Sequence, residues 1–355
     1  MEPETGPQHI APEEDRSGIT RSNPGILSAI QGAFSAGMTR FRAEPGETPE
    51  IDPTALPRKA LSFGIDLEEE LPKEFVRHAQ PVVLQGRVDA PVLQFYGGLG
   101  QTSLPCLELA RLFNQQSGYT CELYSLEGHQ GSWRKIIAQS EIHWVRDVIE
   151  RAERVLAETG NPTTGFGFST GGLTLLKAAA ERPELFSKLV LIGTPLELRN
   201  RVHVAALEVA EMLASHFTAL RMLTPYIPVP LAWNDLLVKN TFNAKGRRRL
   251  EFLPLSRFLC LKRLQLKTVA SLTRVSCPVI FVHGSEDEFS TPATIKKHFG
   301  RLGTSDKYLH QVSGGHMLIL DGDVVRLYGE LERWLEARSV PAAVRGAKGA
   351  SNVSQ

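Results

Sequence analysis

The sequence predicts an α/β fold on a mostly parallel, doubly wound sheet, and three observations predict it. Apolar runs closed by glycine or proline read as strands buried on both faces; Lys188-Leu189-Val190-Leu191-Ile192-Gly193-Thr194-Pro195 and Cys277-Pro278-Val279-Ile280-Phe281-Val282-His283-Gly284 are the clearest. Strong helix formers lie between such runs, as in Leu173-Thr174-Leu175-Leu176-Lys177-Ala178-Ala179-Ala180, which stops at Arg182-Pro183. The third observation is the junction Thr164-Gly165-Phe166-Gly167-Phe168-Ser169-Thr170-Gly171-Gly172-Leu173, where a short strand runs straight into that helix.

At this junction Gly167 and Gly171 flank Ser169 in the pattern Gly-x-Ser-x-Gly. A serine on a strained strand-to-helix turn has its hydroxyl lifted above the sheet, and a Cβ two residues before or after it would collide across the turn. The triplet alone arises by chance in roughly one chain of this length in five to ten. Its setting gives it weight: a break at Asn161-Pro162, a strand, the turn, a helix, then the strand at Lys188–Ile192.

A nucleophilic serine needs an acid and a histidine, and in this layout they follow it in that order. The buried-strand run ending at Gly284 leads into Ser285-Glu286-Asp287-Glu288, beyond the carboxyl end of a parallel strand, where functional groups collect. Asp287 is the candidate acid, in the spacing Gly-x-x-Asp, with Glu286 and Glu288 as alternatives. His316 is the candidate base, in the loop Val312-Ser313-Gly314-Gly315-His316-Met317 between the strand-like Lys307–Val312 and a terminal helix Val324–Ala337. His283 and His310 fall inside predicted strands and read as core or edge residues; His129, His143, His203 and His216 lack the order.

An oxyanion formed at Ser169 requires two positioned donors. The backbone N–H of Thr170 is one. The strand Pro91–Tyr96 precedes Gly97-Gly98-Leu99-Gly100-Gln101, whose glycines let the amides turn toward a cleft; Gly98 is the second donor, with Leu99 as its alternative. No Gly-Lys-Ser/Thr follows and the glycine spacing does not fit a dinucleotide fingerprint, which argues against a phosphate cradle.

With these pieces the chain resembles an α/β-hydrolase over roughly Arg77 to Ala337, most nearly the monoacylglycerol lipase and bacterial carboxylesterase branch. The matching pieces are the Gly97-Gly98 loop, Gly118-Tyr119-Thr120-Cys121, Glu127-Gly128-His129-Gln130-Gly131-Ser132, Gly167–Gly172, the Asp287 loop and Gly315-His316-Met317-Leu318-Ile319-Leu320-Asp321. The chain departs from that branch at Tyr96, where a histidine commonly precedes glycine, and at Gln130, which interrupts a Gly-His-Gly. Both positions are expected in loops that shape the cleft. The resemblance implies ester hydrolysis and leaves the ester open.

It also implies a cap. The stretch between Thr194 and Pro278 is too long for a simple connection, and in hydrolases of this shape an insertion after the sixth strand covers the site. It carries a helical pattern at Val204–Met222, then the proline-punctuated Thr224-Pro225-Tyr226-Ile227-Pro228-Val229-Pro230-Leu231. The expected organisation is an N-terminal arm over 1–60, core over 61–195, helical cap over 196–275, core over 276–340 and a tail over 341–355. Between Lys245 and Lys267 the cap holds Lys245, Arg247, Arg248, Arg249, Arg257, Lys262, Arg263 and Lys267 against Glu251 alone. That stretch reads as a solvated face whose stems lie over apolar surface, with weak contact to an anionic membrane surface as the alternative.

Composition agrees. The 355 residues suffice for one such domain with an insertion, and 42% apolar content supports a large core. A formal net charge of +1 gives no pull toward nucleic acid. Cys106, Cys121, Cys260 and Cys277 lack metal-ligand spacing and read as buried thiols. No run reaches the roughly 18–20 apolar residues of a membrane span, and Met1-Glu2-Pro3-Glu4-Thr5-Gly6 has no signal pattern, so cytoplasm is the default. From Met1 to about Pro57 the composition favours disorder, with Ile26–Phe41 as a short amphipathic exception or a linker. The functional expectation is a serine hydrolase acting on a small acyl ester of lipid type, without cofactor or metal. The alternatives are a thioesterase or acyltransferase with the same three residues, and a non-catalytic binding protein.

Overall fold

The computed structural model describes residues 71, 73–197, 226–228, 252–287 and 289–338, all within the unit Thr48–Gln355. The expected N-terminal arm and its Ile26–Phe41 segment, the Val204–Met222 helix, Glu288, the basic residues Lys245 and Arg247–Arg249, and the tail lie outside the described residues.

Helix α1 (Lys73–Ala79) leads into strands β1 (Val82–Leu84) and β2 (Val92–Tyr96). Helix α2 (Leu107–Leu112), strand β3 (Thr120–Tyr124), helix α3 (Trp133–Ala138) and helix α4 (Glu141–Thr159) follow. Strand β4 (Thr163–Phe168) passes through Ser169 into α5 (Thr170–Glu181), and β5 (Phe186–Ile192) comes next. The insertion supplies β6 (Tyr226–Pro228), β7 (Phe252–Pro254) and α6 (Leu255–Ser271). Strand β8 (Val279–Gly284), α7 (Pro292–Phe299), β9 (Lys307–Val312), α8 (Leu318–Asp321) and α9 (Val324–Glu336) complete the order.

Seven strands form one sheet in the order β1-β3-β2-β4-β5-β8-β9, parallel throughout except for the antiparallel pair β1 and β3. The chain steps from β2 outward to β3 and then back across β2 to β4. That reversal opens a crevice at the carboxyl ends of β2 and β4, which is where open parallel sheets gather their functional loops. Every residue of β4 and β8 is buried, as central strands of a sheet covered on both faces require.

Both faces of the sheet are covered. On one, Phe95, Phe113, Phe166 and Phe168 meet apolar residues of α2 and α9, with Phe95 and Phe166 stacked at 4.4 Å between centroids. Each such side chain, fully buried, contributes roughly 1.5–3 kcal/mol. On the other, α4, α5 and α6 share a core with Leu189, Leu191, Val279 and Phe281. Caps fix the register of these helices: Ser140 and His143 form a reciprocal cap on α4, and the Asp323 carboxylate accepts from the Val325 and Arg326 amides at the start of α9.

Two sequence expectations change here. Tyr96 does not shape a cleft loop; it is the last residue of β2, where the predicted strand Pro91–Tyr96 also put it, fully buried, stacked on Tyr124 at 5.6 Å, with its hydroxyl donating to Gln94 Oε1. The reason is a buried polar network in which Gln94, Tyr124 and Arg154 all donate to the Glu122 carboxylate. Burial raises that carboxyl, and the three hydrogen bonds and the guanidinium charge outweigh it and hold it below its ordinary value. The second change concerns the insertion. It follows β5 among the described residues. Its described part also includes an antiparallel pair, Ile227 opposite Leu253, beside a helix that joins the core. Leu261 and Leu264 of α6 lie in the α5 cluster, and Thr268 Oγ1 donates to Leu173 O. On this packing α6 belongs to the layer over the sheet, although it falls within 196–275.

The basic residues of α6 follow from that docking. The buried Arg257 guanidinium donates to the carbonyls of Ile137, at 2.9 Å, and of Gln139. Arg263 and Lys267 pair with the buried Glu141 carboxylate at 3.2 and 2.9 Å. These three charges therefore engage α3 and α4 within the fold. All four cysteines are free and buried. Among the described residues no helix is long and apolar enough to cross a membrane, and no cluster of metal-ligating side chains occurs.

Candidate active site

The junction of β4 and α5 is strained in the way its sequence demands. Ser169 has φ 53° and ψ −119°, a conformation that costs a non-glycine residue on the order of 1–3 kcal/mol. It is held by the Ser169 amide on Ile192 O at 2.9 Å and by the Gly172 amide on Ser169 O at 3.0 Å. The flanking glycines are needed, for two different reasons. A Cβ on Gly167 would stand 2.4 Å from Gly172 Cα, across the turn as expected. A Cβ on Gly171 would instead meet the Tyr96 carbonyl oxygen at 2.4 Å, so its wall is the neighbouring strand β2.

His316 follows β9. Its Nε2 lies 3.0 Å from Ser169 Oγ and its Nδ1 lies 2.9 Å from Asp287 Oδ2. The imidazole is flanked by Phe168 at 5.5 Å and Phe289 at 4.8 Å between centroids. Its loop sits on the end of β8 because Gly284 leaves room: a Cβ there would be 2.4 Å from both the Gly314 and Gly315 carbonyl oxygens.

Asp287 is oriented by its own turn. Its amide donates to Gly284 O, and its Oδ1 accepts from the Phe289 and Ser290 amides at 2.9 and 3.1 Å, leaving Oδ2 for His316. Burial pushes this carboxyl up, and the hydrogen bond and charge of His316, the Ser290 amide and His283 more than offset it, so it ends below the ordinary carboxylate range. Of the two alternatives, Glu286 is exposed and its amide goes to Gly314 O, while Glu288 is outside the described residues.

The loop after β2 closes the site. Gly98 lies against the serine: a Cβ on it would be 3.3 Å from Ser169 Cβ. Thr170 is buried at the first turn of α5, whose leading amides have no partner within the helix. Leu99, the alternative donor position, packs against two of the apolar clusters.

Three residues touch the site that the sequence reading did not assign to it. His283 Nε2 donates to Ser290 O and lies 3.3 Å from Asp287 Oδ2; its place four residues before Asp287 was the available signal. His129 Nε2 accepts from the Gly100 amide at 3.1 Å. Leu253 of β7 touches the same loop, since a Cβ on Gly100 would be 2.7 Å from its Cδ1. Nothing local in the sequence announces either of these last two contacts.

A family model described as Hydrolase_4, serine aminopeptidase, S33, matches residues 89–323. Solved structures similar to this chain include one from a study of LipS and LipT, two metagenome-derived lipolytic enzymes. It is 20% identical, covers 74% of this chain and 98% of its own, and has a TM-score of 0.60. The monoacylglycerol lipase of Paleococcus ferrophilus is 16% identical over 73% of this chain and 98% of its own, at 0.61. A soluble variant of the monoglyceride lipase of Saccharomyces cerevisiae, solved with a substrate analog, is 15% identical over 79% and 99%, also at 0.61. No curated protein matches the chain significantly. The likenesses in structure establish an α/β-hydrolase fold. The family match spans well over half of the chain and runs through Gly98, Ser169, Asp287 and His316, so the chain belongs to the Hydrolase_4 (serine aminopeptidase, S33) family of α/β hydrolases.

Proposed function

We propose that this chain is a serine ester hydrolase of lipid-type carboxylic esters, with Ser169, His316 and Asp287 as its catalytic triad. The observation that carries the reading is the unbroken hydrogen-bonded chain from Ser169 Oγ through His316 to Asp287 Oδ2, with links of 3.0 and 2.9 Å. His316 Nε2 takes the hydroxyl proton as Ser169 Oγ attacks the acyl carbonyl carbon. The oxyanion that results meets the amides of Gly98 and Thr170. His316 then returns the proton to the departing alcohol, leaving an acyl-serine, and activates the water that releases the acid. Asp287, ionised because its pKa is held low, keeps the proton of the imidazole on Nδ1 throughout.

The lipid-type ester is favoured by the apolar insertion and by the monoacylglycerol and monoglyceride lipases among the similar structures. In this reading the part of 196–275 that leaves the sheet layer is the cap and takes the acyl chain, between core segments 61–195 and 276–340, with 1–60 and 341–355 as flanking arms.

The test is hydrolysis of monoacylglycerols and p-nitrophenyl esters from C2 to C18 by the wild type and Ser169→Ala. Turnover of medium or long chains that falls by roughly 10⁴-fold or more in the variant supports the reading. Turnover restricted to short activated esters removes the lipid-type substrate, and faster turnover of acyl-thioesters shifts the leaving group from alcohol to thiol. Turnover unaffected by the variant removes the mechanism.

A further inference from the structure

The glycine loop Gly97–Gln101 carries the Gly98 amide, and a loop with three glycines in five residues does not hold one conformation by itself. Gly100 stands at φ +67°, a left-handed turn that sets the direction of the chain on either side of it. Its amide donates to His129 Nε2 at 3.1 Å, and His129 Nδ1 is 2.8 Å from Leu126 O. A carbonyl only accepts and an amide only donates, so these two partners fix the tautomer: the proton is on Nδ1 and Nε2 is the acceptor.

The imidazole is kept in that neutral form. His129 is 1% exposed, beneath the ring of Phe75 at 6.2 Å between centroids. Burial, with a small contribution from the Arg257 charge, outweighs its backbone hydrogen bonds and moves it down to about 4. Across the Gly100 turn lies the fully buried Leu253 of β7, in one apolar cluster with Phe75, Leu71 and Ile136. Gly100 is thus held between a polar clasp and an apolar stop.

We propose that His129 is a positioning residue for the oxyanion hole: by accepting the Gly100 amide it fixes the glycine loop, and so the place of the Gly98 donor beside Ser169. This rests on the serine hydrolase reading. His129 does not reach Ser169, His316 or the substrate. Its effect is on transition-state stabilisation, because a donor displaced by a few tenths of an ångström still tolerates the ground-state carbonyl and serves the oxyanion poorly.

Side chains that imitate one nitrogen at a time separate this role from mere support. Glutamine reaches as far as Nε2 and keeps an acceptor for Gly100; asparagine reaches as far as Nδ1, keeps a donor for Leu126 O and loses Gly100. His129→Asn is expected to lower kcat by roughly 10–100-fold with KM within about twofold, and His129→Gln to recover to within about threefold of wild type. A boronic acid inhibitor, which forms the tetrahedral adduct, loses affinity in parallel with kcat in the asparagine variant. A structural role alone predicts the reverse order, with asparagine the better replacement, and losses that follow melting temperature.

Backbone amide exchange of residues 97–103 without substrate provides a readout independent of esterase activity. Exchange at Gly100 accelerates in His129→Asn and stays near wild type in His129→Gln if the clasp is real. Wild-type exchange and wild-type kcat in His129→Asn, alongside an inactive Ser169→Ala, overturn the proposal and leave the hydrolase reading intact. Wild-type enzyme inert toward every ester removes the hydrolase reading and the catalytic half of the proposal with it, and the exchange result then decides the clasp alone.

Discussion

The two loops that converge on Ser169 are built in opposite ways. The elbow between β4 and α5 is confined by backbone: Gly172 Cα stands over Gly167, the Tyr96 carbonyl stands over Gly171, and the Ser169 amide is tied to Ile192 O. The glycine loop after β2 is tied to backbone at its start, where the Gly97 amide donates to Tyr124 O, but at Gly100 it is confined by side chains: the His129 imidazole on one side and the Leu253 methyls on the other. Backbone walls cannot rotate away, whereas side-chain walls can. The elbow therefore tolerates nothing, and the loop's shape depends on residues that arrive from elsewhere in the chain.

Gly171→Ala is the sharpest test of that difference. The added methyl meets a carbonyl oxygen of a central strand at 2.4 Å, so either β2 or the elbow must move. We expect a stability loss of about 3 kcal/mol, at the upper end for an overpacked site, read from urea denaturation. Ester hydrolysis by whatever folds should fall with it, since the shift displaces Ser169. Gly100→Ala offers the contrast. Its nearest atom is Leu253 Cδ1, the free end of a flexible side chain, and what remains is the left-handed φ of +67°, worth roughly 1–2 kcal/mol. Equal losses in the two variants, or a larger one at Gly100, would break the comparison.

The same contrast explains what the sequence disclosed. The elbow is legible because the constraint that needs glycine at 167, Gly172 across the turn, lies within a few residues of Ser169; the wall against Gly171 and the tie of the Ser169 amide to Ile192 O come from the neighbouring strands. Asp287 is legible for the same reason. It orients itself with the amides of Phe289 and Ser290, so a carboxylate just beyond a buried strand was enough to find it. His316 needed only a glycine-rich loop after the last strand. The clasp on Gly100 was not legible, because its acceptor is in another loop and its apolar stop is in the insertion. Tyr96 misled for a related reason. Its neighbours in sequence are loop glycines, but its hydroxyl and ring belong to a network formed by Glu122, Tyr124 and Arg154 on other elements. Part of the basic stretch misled as well. Arg257, Arg263 and Lys267 look outward in the sequence, but two carbonyls and the buried Glu141 are their partners.

A smaller effect probes whether the locally built acid loop is independent of the loop held from outside. The Asp287 carboxyl lies below its ordinary range in the folded chain, so the unfolded chain takes up that proton first as pH falls. Its ionised form therefore adds stability that is fully present above about pH 4 and lost as pH drops through the folded value. Asp287→Asn removes this contribution: its melting temperature should trail the wild type most at neutral pH, and the gap should narrow on acidification. His283 and His316 face the same carboxylate. His283, held low by burial, is neutral at pH 7 and opposes folding when it charges, in wild type and variant alike, so most of its effect cancels in the difference. A constant gap from pH 7 to 3 would mean that the low value is not a property of the folded site. Repeating the series with His129→Asn in both chains then tests the separation of the two loops. Asp287 receives its amides from its own turn, so the gap should be unchanged. A gap that shifts with the state of Gly100 would show the acid and the oxyanion loop to be coupled, and the division between locally and remotely held loops would fail at the site where it matters most.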